Sequence, residues 1–319
     1  MGVGGKSGFG GARRWYGLIL GVALMVGWPG GAAAQQPEAT ADPASEGGAP
    51  FQPLLADPLE PKTSITFMKT DLFDLAGRPA ERPAFMLQDG RNHHRSAQAI
   101  GSFGQSFTVW DGTVGQAVAV AVGVQGGVFA RFRLDTTTND MVGSDWTLAF
   151  PLMVGVGSWS SRLRLVHWSS HLGDEFTKNA EAERIGFSFE AVDMLVAREL
   201  LGRRVRLYGG GALVLRSQAD ALTPSGKHRV SNQGQVQAGF EVRWHPLLAG
   251  HLGLVAGADW QRADITDWQN RFSGVMGWEF RNGTRRLEVL ARLVEGPSQM
   301  GQFFLTSEKY TGIEVRFGL

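Results

Sequence analysis

The sequence predicts an all-β chain closed into a transmembrane antiparallel β-barrel of about 12 strands, with long extracellular loops and short periplasmic turns. Three observations carry this expectation. Apolar and polar residues alternate with a period of two in segment after segment; the connections between segments alternate long and short; and the chain opens with the layout of a secretory leader.

The leader comes first. Lys6, Arg13 and Arg14 precede an apolar run from Trp15 to Trp28, and Ala32 and Ala34 frame a small-residue cleavage site, so residues 1–34 read as a signal peptide and Gln35 as the first mature residue. The apolar run is short of the roughly 18 residues that a membrane-spanning helix needs, and no later stretch supplies them. Residues 35–61 are small, polar and proline-containing, and are expected to form a disordered, Pro-rich periplasmic leader. Its last part, "FQPLLADPLEP", carries Pro53, Pro58 and Pro61, which confine it to extended and turn conformations.

The barrel is assigned to residues 62–319. In "QVQAGFEVRW", Val236, Ala238, Phe240, Val242 and Trp244 face one way, with Gln235, Gln237, Glu241 and Arg243 facing the other. That is one oily and one polar strand face. The same split recurs with Leu287, Val289, Ala291 and Leu293 against Arg286, Glu288 and Arg292, and in the closing Ile313, Val315, Phe317 and Leu319. Strands are expected near 62–70, 99–110, 116–134, 144–156, 160–169, 182–200, 204–216, 234–245, 251–262, 270–281, 284–295 and 308–319, most about as long as a tilted membrane strand. Pro151 falls inside one of them, which implies a bulge or a local break. Long connections at 71–98, 135–143, 170–181, 217–233, 263–269 and 296–307 are separated by short turns such as the tight "NGT" at 282–284. A soluble β-sandwich also alternates, but has no reason to sort its loops by length.

Composition narrows the function. Zero cysteines exclude disulfides and lipidation through an N-terminal thiol. Thirty-one basic against 30 acidic residues leave a net charge of +1, so no nucleic-acid surface is implied. Ten tryptophans against three tyrosines suit a chain with membrane interfaces. The polar strand faces would line the lumen with Arg131, Arg162, Arg164, Glu190, Arg206, Glu241, Arg292, Glu314 and Arg316. Mixed charges in a narrow lumen pair across it, whereas a charge-selective pore favours one sign at its constriction.

The segment "LVHWSSHLGDEF" carries candidate chemistry. Leu163 and Leu165 set the lipid-facing phase of its strand, so His167 and Ser169 fall on the lipid face near the outer rim, about 6.6 Å apart with parallel side chains. Taking Ile185, Phe187 and Phe189 as outward, Glu181 and Glu183 share that phase on the next strand, and a hairpin folded about residue 175 sets Glu183 opposite His167 and Glu181 opposite Ser169. A nucleophile, a base and an acid that orients the base are then available on one external patch. The structural alternative is a pair of interface residues bonding lipid headgroups. His171 and Asp174 offer a second set or a cation site, and His93 and His94 lie adjacent in the longest loop, where such a pair is more often solvated than metal-bound.

At His167, Ser169 and Glu181 the chain resembles the outer-membrane phospholipase A and lipid A deacylase families, which carry H-x-S on a lipid-facing strand and an Asn or Glu about a dozen residues on. The resemblance implies ester hydrolysis of envelope lipid, with Ser169 attacking, His167 accepting its proton and Glu181 fixing the imidazole. Those families usually follow the Ser with Asn, where this chain has Ser170. More broadly, "FQPLLADPLEP", "SSHLGDEF", "RIGFSFEAVDMLVARELL" and "GQFFLTSEKYTGIEVRFGL" resemble an uncharacterised bacterial outer-membrane family, domain of unknown function 1207, which implies a location in the bacterial outer membrane and a barrel fold.

Three functions follow as expectations: an envelope-lipid esterase or deacylase; a narrow channel for small solutes; or a structural barrel whose residues 51–61 hold a periplasmic partner. The expected partners are outer-membrane lipids and the barrel-assembly machinery. No cofactor motif is present, and a calcium requirement stays open.

Overall fold

The structure, a computed structural model, describes residues 49–319 apart from 71–95, 116, 135–138, 181–185, 218–219, 224–225, 230–233, 305 and 319. Its strands are β1 (Thr63–Thr70), β2 (Ser96–Val114), β3 (Val118–Arg133), β4 (Met141–Val156), β5 (Trp159–Leu172), β6 (Phe187–Leu200), β7 (Val205–Ser217), β8 (Asp220–Thr223), β9 (Gly226–Arg229), β10 (Gly234–Leu247), β11 (Leu252–Ala263), β12 (Arg271–Asn282), β13 (Arg285–Pro297) and β14 (Ser307–Gly318). Helix α1 (Asp174–Ala180) lies between β5 and β6. Twelve strands pair with their neighbours into a closed barrel, while β8 and β9 form a separate hairpin within the β7–β10 connection. Closure is made by β1 and β14, antiparallel from Thr63↔Phe317 to Thr70↔Tyr310. Every barrel strand falls on a segment where the period of two places it.

Closure removes the sheet edges that an open membrane sheet would leave unbonded. Outside the barrel, Leu148, Phe150 and Leu152 of β4, Leu163 and Leu165 of β5 and Leu287, Val289 and Leu293 of β13 are exposed. Such a band is what hydrocarbon covers. Among the short turns, Gly157 (φ 59°) and Gly283 (φ 61°) occupy left-handed backbone where a side chain would be strained. Near the same end Trp159, Trp244 and Trp278 point outward, the expected interfacial girdle. At Pro151 the ladder to β3 is interrupted between Val122↔Leu152 and Gln125↔Ala149 without a change of register, while pairing to β5 runs through Pro151↔Arg164. The missing N–H produces a local break and no bulge.

The lumen is filled by the chain's own residues 49–62. Residues 49–61 of this stretch belong to the 35–61 segment expected to be a disordered, Pro-rich periplasmic leader, and they are instead ordered inside the barrel because their apolar side chains find partners on its inner wall. Phe51 and Leu54 pack against inward-facing Ala121, Met153, Leu195 and Tyr208, and Leu55 and Ala56 against Val255, Val275 and Leu290. Two guanidinium groups approach the Phe51 ring, Arg162 at 4.8 Å and Arg206 at 5.5 Å from its centroid.

Polar atoms then fix the segment's path. Arg206 donates to the carbonyls of Gln52 (2.8 Å) and Pro53 (2.9 Å), Arg316 to Leu55 (2.7 Å), and Ser273 (2.7 Å) and Arg292 (3.2 Å) to Ala56. The Leu55 amide donates to Glu241 at 2.6 Å. Glu60 accepts a bidentate contact from Arg162 at 2.6 and 3.2 Å, with Arg164 at 3.7 Å. Burial alone would raise the Glu60 carboxyl, but the two arginines more than offset it and hold it at about 2. Gly104 gives the segment room to rejoin the barrel wall: a Cβ there would sit 3.0 Å from the Pro61 side chain and from the Lys62 backbone nitrogen.

Candidate functional site

Strand β5 alternates as expected. Arg162, Arg164, Val166, Trp168 and Ser170 face the interior, and Leu163, Leu165, His167 and Ser169 face out. Its β4 neighbour places Leu148 beside His167 and exposed Trp146 beside Ser169. The pair therefore lies on the outer surface of the barrel toward the long-loop end, beside an exposed tryptophan.

Strand β6 reverses the expected phase. Phe187, Phe189, Ala191, Asp193 and Leu195 point inward, and Glu190, expected in the lumen, points out. The reason is an aromatic stack inside the barrel: Trp168 lies on Phe129 with centroids 5.7 Å apart and on Phe189 at 6.5 Å, and Phe187 contacts Phe304 at 5.2 Å. Because the interior has its own apolar wall at this height, hydrophobicity no longer marks the lipid face. The register also differs from a hairpin folded about residue 175. Helix α1 takes up chain in the connection, and Glu190, in place of Glu183, pairs with His167, while Ser188, in place of Glu181, pairs with Ser169. Glu181 and Glu183 lie outside the described residues.

Across the pair, His167 Nδ1 is 3.2 Å from Glu190 Oε1, with the two side chains 48% and 39% exposed. A neutral imidazole that donates from Nδ1 to the carboxylate keeps its Nε2 lone pair free as a base. Ser169 follows on the same face, two residues along, with no hydrogen bond to His167 among the described residues. Catalytic hydrogen bonds of this kind often close only with substrate bound. Glu190 was missed from sequence because its pairing depends on the loop length and on the inward phenylalanines.

Ser170, the position where the resembling families carry Asn, faces the interior and serves another purpose. Its hydroxyl donates to Asp145 and accepts from the Gln302 amide at 3.0 Å, while Asp145 also accepts from the Gly301 amide at 2.8 Å. These bonds fold the β13–β14 connection inward and bury Met300, Phe303 and Phe304. His171 is exposed at the end of β5 and Asp174 opens α1. Among the described residues no group of three or more His, Asp or Glu side chains is arranged to hold a metal ion. His93 and His94 lie outside the described residues.

A family model described as "Protein of unknown function (DUF1207)" matches residues 33–319. No curated protein matches the chain. Among solved structures, the outer membrane phospholipase of Salmonella typhi is 11% identical, with 82% of this chain and 94% of that one aligned at a TM-score of 0.49. The Escherichia coli outer membrane phospholipase A is 10% identical over 80% and 92%, also at 0.49. The transport unit of the autotransporter AIDA-I from Escherichia coli is 11% identical over 83% and 93%, at 0.42.

Proposed function

The chain belongs to the DUF1207 family, and from that premise we propose that it is an outer-membrane barrel that hydrolyses acyl esters of envelope lipids, with Ser169 as nucleophile, His167 as base and Glu190 positioning the base. The leader-like first residues and the outward apolar band support that location. The observation that carries the reading is the His167–Glu190 pair at 3.2 Å on the lipid-facing surface, with Ser169 next on the same face.

Depth supports it too. A charged residue on a barrel's lipid face is least costly near the interface, about 0–1 kcal/mol, so a polar patch there is tolerated. Beside Trp146 it lies at the level of the interfacial aromatic belt, where headgroups and ester linkages meet the acyl chains. In the reaction the Ser169 hydroxyl adds to the ester carbonyl as His167 Nε2 takes its proton, and Glu190 stabilises the imidazolium. Collapse expels the alcohol, which receives the proton from His167. Water, deprotonated by the same nitrogen, then releases the fatty acid and restores the serine.

The filled lumen argues against an open channel; of residues 51–61, most are buried inside the barrel and Gln52 and Pro53 are exposed. The test is fatty-acid release from vesicles of phospholipid and of lipid A by the purified, folded protein. Ser169→Ala is expected to abolish release, and Glu190→Gln to lower it by about 10²-fold or more. Equal release from the parent and Ser169→Ala, or none from the parent, overturns the reading.

A further inference from the structure

The inward aromatic wall of β5 and β6 does more than fill space. Above the luminal segment lies a cavity of about 200 Å³, floored by Asp57, Leu59 and Pro61. One side is apolar, made by Trp168, Phe187 and Phe189 with Phe304 from the β13–β14 connection. The opposite side, on β10, β11 and β12, presents Gln235, Gln261 and Arg271.

Two polar groups of the lining are incompletely paired. Arg271 donates to the Gln261 side-chain carbonyl, which also accepts from Gln235 at 2.9 Å, and among the described residues no carboxylate lies within ion-pair distance of it. This contrasts with Arg164 on the same cavity, which is held by Asp193 at 2.8 Å. Gln299, 5% exposed and also lining the cavity, has a side-chain oxygen without a donor. A half-paired cation beside a stacked aromatic wall is complementary to a ligand with a flat apolar body and an anionic end, while the Gln299 oxygen calls for a donor and does not contribute to holding the anion.

We propose that this cavity binds a small organic carboxylate, its apolar body against Trp168 and Phe189 and its carboxylate on Arg271. The site is on the interior face of the wall whose exterior carries Ser169, so it is independent of the proposed hydrolase.

The experiment uses the full mature chain in lipid nanodiscs, titrated with 1-naphthoate and with its uncharged analogue 1-naphthamide by calorimetry. Saturable binding of 1-naphthoate is expected, at least tenfold tighter than that of 1-naphthamide. Arg271→Gln should remove that preference while leaving 1-naphthamide unchanged, Phe189→Ala should weaken both, and Ser169→Ala should change neither. Absence of saturable binding, equal affinity for the two compounds, or a preference that survives Arg271→Gln overturns the proposal. Loss in Ser169→Ala would mean that the compounds bind on the outer face, and overturns it as well.

Discussion

Replacing Glu60 by Gln tests whether the luminal segment is held by charge. Glu60 is 1% exposed and is the acidic partner of Arg162, whose Nε already lacks an acceptor. Its carboxyl sits at about 2 against an ordinary 4.5, the two arginines outweighing the upward push of burial. At about 1.4 kcal/mol per tenfold change in proton affinity, that difference is worth about 3 kcal/mol of docking. Breaking a buried ion pair by removing one partner independently suggests about 3–5 kcal/mol. The undocked population should therefore rise by about 10²-fold or more.

Hydrogen exchange followed by mass spectrometry reads this at the amides of Leu55, bonded to Glu241, and Leu59, bonded to Asp57. Both should exchange faster in Glu60→Gln at neutral pH. The released carboxyl protonates near 4.5 and the docked one near 2, so the parent's extra protection is complete above 4.5 and disappears as pH falls through 2, while the variant lacks that dependence. Equal exchange in the two proteins at pH 7 would refute the reasoning.

Deleting residues 49–61 empties the lumen, removes the Asp57 and Glu60 carboxylates and leaves Arg162 without its ion-pair partner, so planar-bilayer recordings of the refolded variant should show conductance with anion preference, where the parent is silent. Lys62 adds a pH effect at the other side of neutrality: burial, reinforced by Arg316 and Arg292 against Glu314 and Asp57, lowers its amine to about 7 from 10.5. The released segment binds the extra proton between those values, so exchange protection should grow as pH rises from 7 toward 10.5, and Lys62→Met should flatten the profile. Ser170→Ala removes the hydroxyl that holds the Gln302 amide, and should cost about 1–3 kcal/mol, read as faster exchange across residues 298–306 with the barrel intact.

Strand positions, the short glycine turns and the sorting of long and short connections were legible in the sequence because each depends on residues close together in the chain: a period of two needs only a few neighbours to declare itself. Most interior charges were legible for the same reason, from Arg131 on β3 to Arg316 on β14. His167 and Ser169 were placed on the outer face because Leu163 and Leu165 on their own strand set its phase.

What fills the barrel was decided only in three dimensions. The luminal segment is held largely through backbone carbonyls, which every residue carries and no side-chain pattern reveals, and its Glu60 carboxylate meets an arginine 102 residues away. The phase of β6 was decided the same way. Phe187 and Phe189 look lipid-facing alone, but turn inward once Trp168 and Phe304 offer them partners, and that turn carries Glu190 out to His167. Alternation identifies two faces; only the packed barrel says which one meets the bilayer.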